Sequence, residues 1–179
     1  MRGLRKVATI FGEVLTWIVI TLMVVLTTVV VVAVVYRKLG ASLSWYDEVS
    51  SVLLAWVTYY GAALAALKRS HIGFDDVLLA LPRRWRAAAV VAAEILVLFF
   101  FALLGWSGMR VLEILEGENL VSLTWVPVSV TQSIIPIGAV LFIVAELLSL
   151  PDYWRDVMAG RSVEHQPLAH GATPEHDRR

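Results

Sequence analysis

Apolar residues in this chain neither alternate nor gather on a single helical stripe. They run almost unbroken in four long stretches separated by short polar ones. Residues 14–35 carry no charge, and as a helix they would reach about 33 Å, enough for a hydrocarbon core about 30 Å thick. Residues 49–67 form a second uncharged run, and residues 87–109 a third, interrupted only by Glu94. The fourth, residues 126–150, contains Pro127, Pro136 and, near its end, Glu146. Val, Ile and Leu dominate without two-residue periodicity, which predicts membrane-spanning helices and not barrel strands. The fold expected is therefore an all-α integral membrane domain of four transmembrane helices over residues 1–159.

Composition agrees. Hydrophobic residues make up 59% of the chain and charged residues 17%, with mean hydropathy +0.75, whereas a soluble domain is about half apolar and about a quarter charged. Arg2, Arg5 and Lys6 precede the first run as they would in a signal peptide. That run is longer than the 7–15 residues of a signal-peptide core, and Val32-Ala33-Val34 is a poor cleavage site, so the span is read as retained.

Basic residues orient the spans. Three lie before the first span, five between the second and third (Lys68, Arg69, Arg83, Arg84, Arg86) and four after the fourth (Arg155, Arg161, Arg178, Arg179). Only Arg37, Lys38 and Arg110 lie on the opposite side. Twelve against three puts both termini in the cytoplasm. Trp45, Trp106 and Trp125 then mark the outer boundary, and Trp85, Tyr153 and Trp154 the inner one, where amphipathic rings favour the headgroup level. Trp56 falls well inside a span.

Between the spans, Ser44 followed by Asp47 fits a helix start, with Asp47 and Glu48 facing the positive end of the second helix. That acidic pair reads equally well as a solvated cap or as a contact to another subunit. Phe74, Val77, Leu78 and Leu81 share one helical face, predicting a short amphipathic helix on the inner surface before Pro82. Residues 160–179 are polar, with Pro167 and Pro174, and should form a disordered cytoplasmic tail. Small residues at 61–66 and 87–93 predict close packing between spans two and three.

The materials of catalysis are sparse. There is no cysteine, so thiol chemistry and cysteine-ligated metals are excluded. The four histidines, His71, His165, His170 and His176, all lie outside the spans, which excludes bis-histidine haem ligation within the bundle. No phosphate loop, nucleophile elbow or zinc-protease motif occurs, and zero net charge offers nothing to a nucleic acid. No catalytic, cofactor or metal site is expected. Glu94, about 10 Å inside the third span from its cytoplasmic end, is the one deep acid. An intramembrane carboxylate is a candidate for ion or proton coupling. Three structural readings outweigh that one: a protonated group bonded to a neighbouring hydroxyl, a snorkelling side chain, or a salt bridge to a partner. Glu13 and Glu146 lie within a turn or so of the same face, in reach of headgroups.

The order Arg37, Trp45-x-x-Glu48, Trp56, Gly61-Ala62, His71-Ile72-x-x-Asp75, Pro82 and Pro136-x-Gly138 resembles the small membrane subunit (DctQ-like) of tripartite ATP-independent periplasmic (TRAP) transporters. The resemblance covers roughly residues 10–155 and is most specific from Trp45 to Asp75. It implies a bacterial inner-membrane scaffold beside a large multi-span permease subunit, with a periplasmic binding protein delivering an organic acid anion. Uptake would be driven by a sodium or proton gradient, as symport, and the substrate and cation sites would belong to the large subunit. Arg37, Trp45, Glu48, Trp56, Gly61, His71 and Asp75 would be interface or loop-fixing residues. His71 and Asp75, four apart, can bond across one helical turn.

Other readings compete. One is the small subunit of a tricarboxylate tripartite transporter, with the same four-span frame. Another is a self-contained, dimeric, ion-coupled carrier using Glu94. A third is an assembly factor in the membrane.

Overall fold

The computed structural model describes residues 2–68 and 82–159. These form α1 (Arg2–Lys38), α2 (Tyr46–Leu67), α3 (Arg83–Ile114), a single turn and a half α4 (Val128–Gln132) and α5 (Ile134–Met158). Four helices are long and apolar enough to cross a bilayer, in the places the apolar runs predicted. No strand occurs among the described residues, only an isolated bridge between Asn119 and Pro127. The amphipathic surface helix, His71, Asp75 and the tail all fall outside the described residues.

The helices overrun the apolar stretches. α1 has 37 residues, about 55 Å, because nothing between Arg2 and Lys38 breaks a helix and the first turns beyond the apolar run can be solvated. It stops at Gly40, whose φ of +82° suits a residue without Cβ. There Ala41 N–H donates to Tyr36 O and Gly40 N–H to Arg37 O, satisfying carbonyls that the helix end would orphan. The second start differs from expectation. Trp45, not Ser44, is the cap residue of α2, and no side chain caps it.

The fourth span is interrupted at Ser133. Pro136 has no N–H for the carbonyl of Gln132, and its ring crowds that carbonyl, so a continuous helix through 132–136 is disfavoured. Within α5, Pro136 occupies the third position, where an N–H would have no partner in the helix. Pro151, by contrast, lies inside α5.

Residue pairs fix the packing. Gly108 meets Ile135 and Pro136, and Gly105 meets Ala139, so α3 runs antiparallel to α5. Trp56 bonds to Thr131, Tyr59 covers Gly138, and Ala66 packs with Phe142 and Ala145, so α2 runs parallel to α5. α1 lies along α2, with Gly12 against Leu67. The layer order is thus α1, α2, α5, α3. α5 is central: 44% of its apolar span is buried, against 6–11% in the other three.

Small residues are used differently from the sequence expectation. α2 and α3 each approach α5 closely and not each other. Ala63 and Ala66 are fully buried, whereas a side chain at Gly61 would meet open space. On α3 the close approach comes from Gly105 and Gly108, while Ala88, Ala92 and Ala93 are exposed. The rings of Phe101 and Phe142 stack at 3.6 Å between centroids, 7° from parallel. Large apolar side chains such as Val24, Leu96 and Phe99 face outward, as expected where the surroundings are hydrocarbon and exposure carries no hydrophobic penalty.

Candidate functional site

Two ends of the bundle can be distinguished: the terminal end, where α1 starts and α5 finishes, and the loop end, where α3 leads into α4. At the loop end the connection from α3 turns at Gly117, whose φ is +91°. It then folds on itself, with Leu120 N–H donating to Val126 O and Val128 N–H to Glu118 O. Glu48, in the first turn of α2, holds it. One carboxylate oxygen accepts from Val121 N–H at 2.9 Å and the other from Ser122 N–H at 2.8 Å. The Ser122 hydroxyl donates to Ser44 O at 3.3 Å. Bonds to an ionised acceptor are the stronger kind, and each one satisfies a loop N–H. Glu48 is therefore a clamp within the chain, holding the connection between α3 and α4 against the start of α2. Its neighbour Asp47 is exposed.

Inside the bundle Trp56 donates from Nε1 to the carbonyl of Thr131 at 3.0 Å. Thr131 is buried and its hydroxyl donates to Val128 O. An indole N–H in an apolar span needs an acceptor, and the interruption beside Pro136 provides one. One turn further, Tyr59 fills the space above Gly138; a Cβ there would stand 2.6 Å from Tyr59 Cδ1. Trp56 and the Pro136-x-Gly138 motif are thus two sides of one α2–α5 contact.

At the terminal end the acids fall out differently from the sequence expectation. Glu146, read as reaching headgroups, is buried at 6% exposure on the inner side of α5. Glu94 is half-buried and lines the same cleft of about 490 Å³, together with Ala62, Phe101, Phe142 and Tyr153. Helix geometry explains the miss: Phe142, Ala145 and Glu146 lie three and four residues apart, on the face α5 turns to its neighbours. A buried carboxylate is retained only where polar partners offset its desolvation. Nearer the terminal end, Arg86 ties the start of α3 to the last turn of α5, with Nη1 donating to Val157 O at 3.2 Å. A second, more polar recess of about 560 Å³ lies between α1, the end of α2 and α5, lined by Thr9, Glu13, Lys68 and Asp152 among others. No group of residues able to hold a metal ion occurs among the described residues.

The other motif residues are less engaged. Arg37 is exposed in the last turn of α1, where a cation complements the helix dipole. Trp45 is half-buried at the start of α2. The sequence reading missed Tyr59, Thr131 and the loop amides of Val121 and Ser122. No local signal pairs Glu48 with groups 73 and 74 residues away.

Fold and contacts together define a polytopic helical membrane protein whose polar cross-links tie its own elements to one another. The chain belongs to the DctQ component family of tripartite ATP-independent periplasmic transporters, whose family model matches residues 26–156. It is thus a multi-pass component of a transporter and not a member of an enzyme family. Among curated proteins no individual match is found. The matched stretch starts within α1 and ends in the last turns of α5, so it includes the Glu48 clamp and the Trp56–Thr131 contact.

Proposed function

We propose that this chain is the small scaffold subunit of a TRAP-type secondary transporter in a bacterial inner membrane. It stands beside a large multi-span permease subunit, receives no substrate of its own, and stiffens the platform against which the carrier works. A periplasmic binding protein delivers an organic acid anion to the large subunit, and an ion gradient drives uptake. The terminal end faces the cytoplasm, in keeping with twelve of fifteen basic residues on that side. The four-span domain occupies residues 1–159.

The observation that carries this reading, beside family membership, is the cross-linking at successive levels of α2. Glu48 fixes the outer loop, Trp56 the interrupted helix, and Tyr59 the glycine of α5. Contacts of this kind suit a body that must stay rigid while a neighbour moves. Arg37 and Trp45 remain at the outer edge as candidate subunit contacts, and His71 and Asp75 on the cytoplasmic side as loop-fixing groups.

The test is reconstitution. Co-expression with the adjacent large subunit should yield a stable complex on gel filtration, and organic-acid uptake in proteoliposomes should require both subunits and the binding protein. Ion-driven uptake by the small subunit alone would instead establish a self-contained carrier.

A further inference from the structure

Between α3 and α5, on the outside of the bundle near the terminal end, runs a groove of about 560 Å³. Its walls are Val91, Ile95 and Leu98 on one side and Leu150, Pro151 and Trp154 on the other. Pro151 presents a ring and no N–H at this surface. Glu94 is the one acid in the wall, and it also faces the inner cleft. From Val90 to Leu98 the groove follows α3 for about 12 Å, most of the roughly 15 Å hydrocarbon depth of one leaflet.

The mouth is chemically different. Arg155 lines it beside Trp154, with exposed Arg84 and Trp85 one to two turns nearer the start of α3. Asp152 approaches Arg155 at 3.7 Å, but both side chains are about half exposed, so this pair offsets the cation only weakly. An indole and a guanidinium at the end of an apolar groove match a lipid whose head is anionic.

A shallow apolar groove open along its length, with an indole and a cation at one end, suits an acyl chain carrying an anionic head. We propose that this groove binds one acyl chain of an anionic phospholipid from the terminal-end leaflet, with the headgroup phosphate against Arg155. The proposal rests on the spans crossing a bilayer, not on the scaffold role or the transported solute.

The experiment uses the full-length chain, with its large subunit where that is needed for stability, in nanodiscs doped with phosphatidylglycerol carrying a photoactivatable acyl chain. Cross-links should map to Val91, Ile95, Leu98 or Leu150 in excess of outward positions on α1 such as Val24 and Val31. The phosphatidylcholine analogue should label the groove about fivefold less, the factor one cation contributes near a membrane surface. R155Q should remove that preference while leaving phosphatidylcholine labelling unchanged. I95W should block groove labelling by either lipid; Ile95 is 62% exposed, so the core is untouched, and R155Q stands as an independent arm. Uniform labelling of α1 and α3, equal labelling by both headgroups, or a peptide of the large subunit cross-linked in the groove would each overturn the proposal.

Discussion

Tyr59 occupies the space that a side chain on Gly138 would need: a Cβ at 138 would stand 2.8 Å from Tyr59 Cβ and 2.6 Å from its Cδ1. Distances under 3.0 Å require something to move, and Tyr59 Cβ cannot move without its helix. The contact thereby sets how closely α2 and α5 approach. The glycine of the Pro136-x-Gly138 motif is explained by its neighbour on another span.

Gly138→Ala should therefore destabilise the bundle by about 1–3 kcal/mol, the usual cost of overpacking. Gly61→Ala, where a methyl group meets open space, should be neutral or stabilising by up to about 1 kcal/mol. Denaturation midpoints of the two variants in the same detergent compare them directly. Equal effects would contradict the packing assignment.

Trp56→Phe leaves an aromatic ring in place and removes the donor to Thr131 O. The expected loss is about 1 kcal/mol, the net value of a neutral hydrogen bond. Faster amide exchange at Ser133 and Ile134, where the fourth span is interrupted, should accompany it. Unchanged exchange there would mean that the bond does not hold the break.

Glu48→Ala should release the loop, with the amides of Val121 and Ser122 losing protection from hydrogen exchange and the 118–126 segment becoming cleavable by protease. Glu48→Gln keeps one acceptor oxygen and should retain part of the protection. Helix content should not change in either variant, because α2 lacks a side-chain cap in the native chain.

The natural absence of cysteine makes orientation directly measurable. Ala41→Cys, in the exposed turn between α1 and α2, should react with an impermeant maleimide in cells whose outer membrane has been opened. Gly3→Cys, exposed near the start of α1, should react only after the inner membrane is disrupted. The reverse pattern would invert the proposed topology.

Glu94→Gln conserves shape in the cleft shared with Glu146 and should leave uptake by the assembled transporter largely intact. Loss of uptake with normal assembly would assign Glu94 to ion coupling. Expression level and the gel-filtration profile of the complex separate that outcome from misfolding.

The number and placement of the long helices were legible in the chain because a hydrocarbon environment demands about twenty consecutive apolar residues per span and internal backbone hydrogen bonding. Those are local requirements, visible one segment at a time. The joint order of Arg37, Trp45-x-x-Glu48, Trp56, Gly61-Ala62, His71-Ile72-x-x-Asp75, Pro82 and Pro136-x-Gly138 within a four-span frame likewise pointed to the family. What those residues touch was not legible. In a membrane bundle the outward and inward faces are equally apolar, so hydropathy does not reveal that α5 is central or that α2 and α3 use their small residues against it. Glu146 looked peripheral by its distance from the end of a span and is buried because of its azimuth on the helix. Glu48 could be read as a cap, a subunit contact or a loop-fixing group, and nothing local pairs its acceptors with a loop more than seventy residues away. The sequence by itself determined a four-span membrane component of a known kind, because length, polarity and motif order are properties of the chain. Only the tertiary structure decided which side chains lock it together, because azimuth and long-range pairing arise when the helices meet.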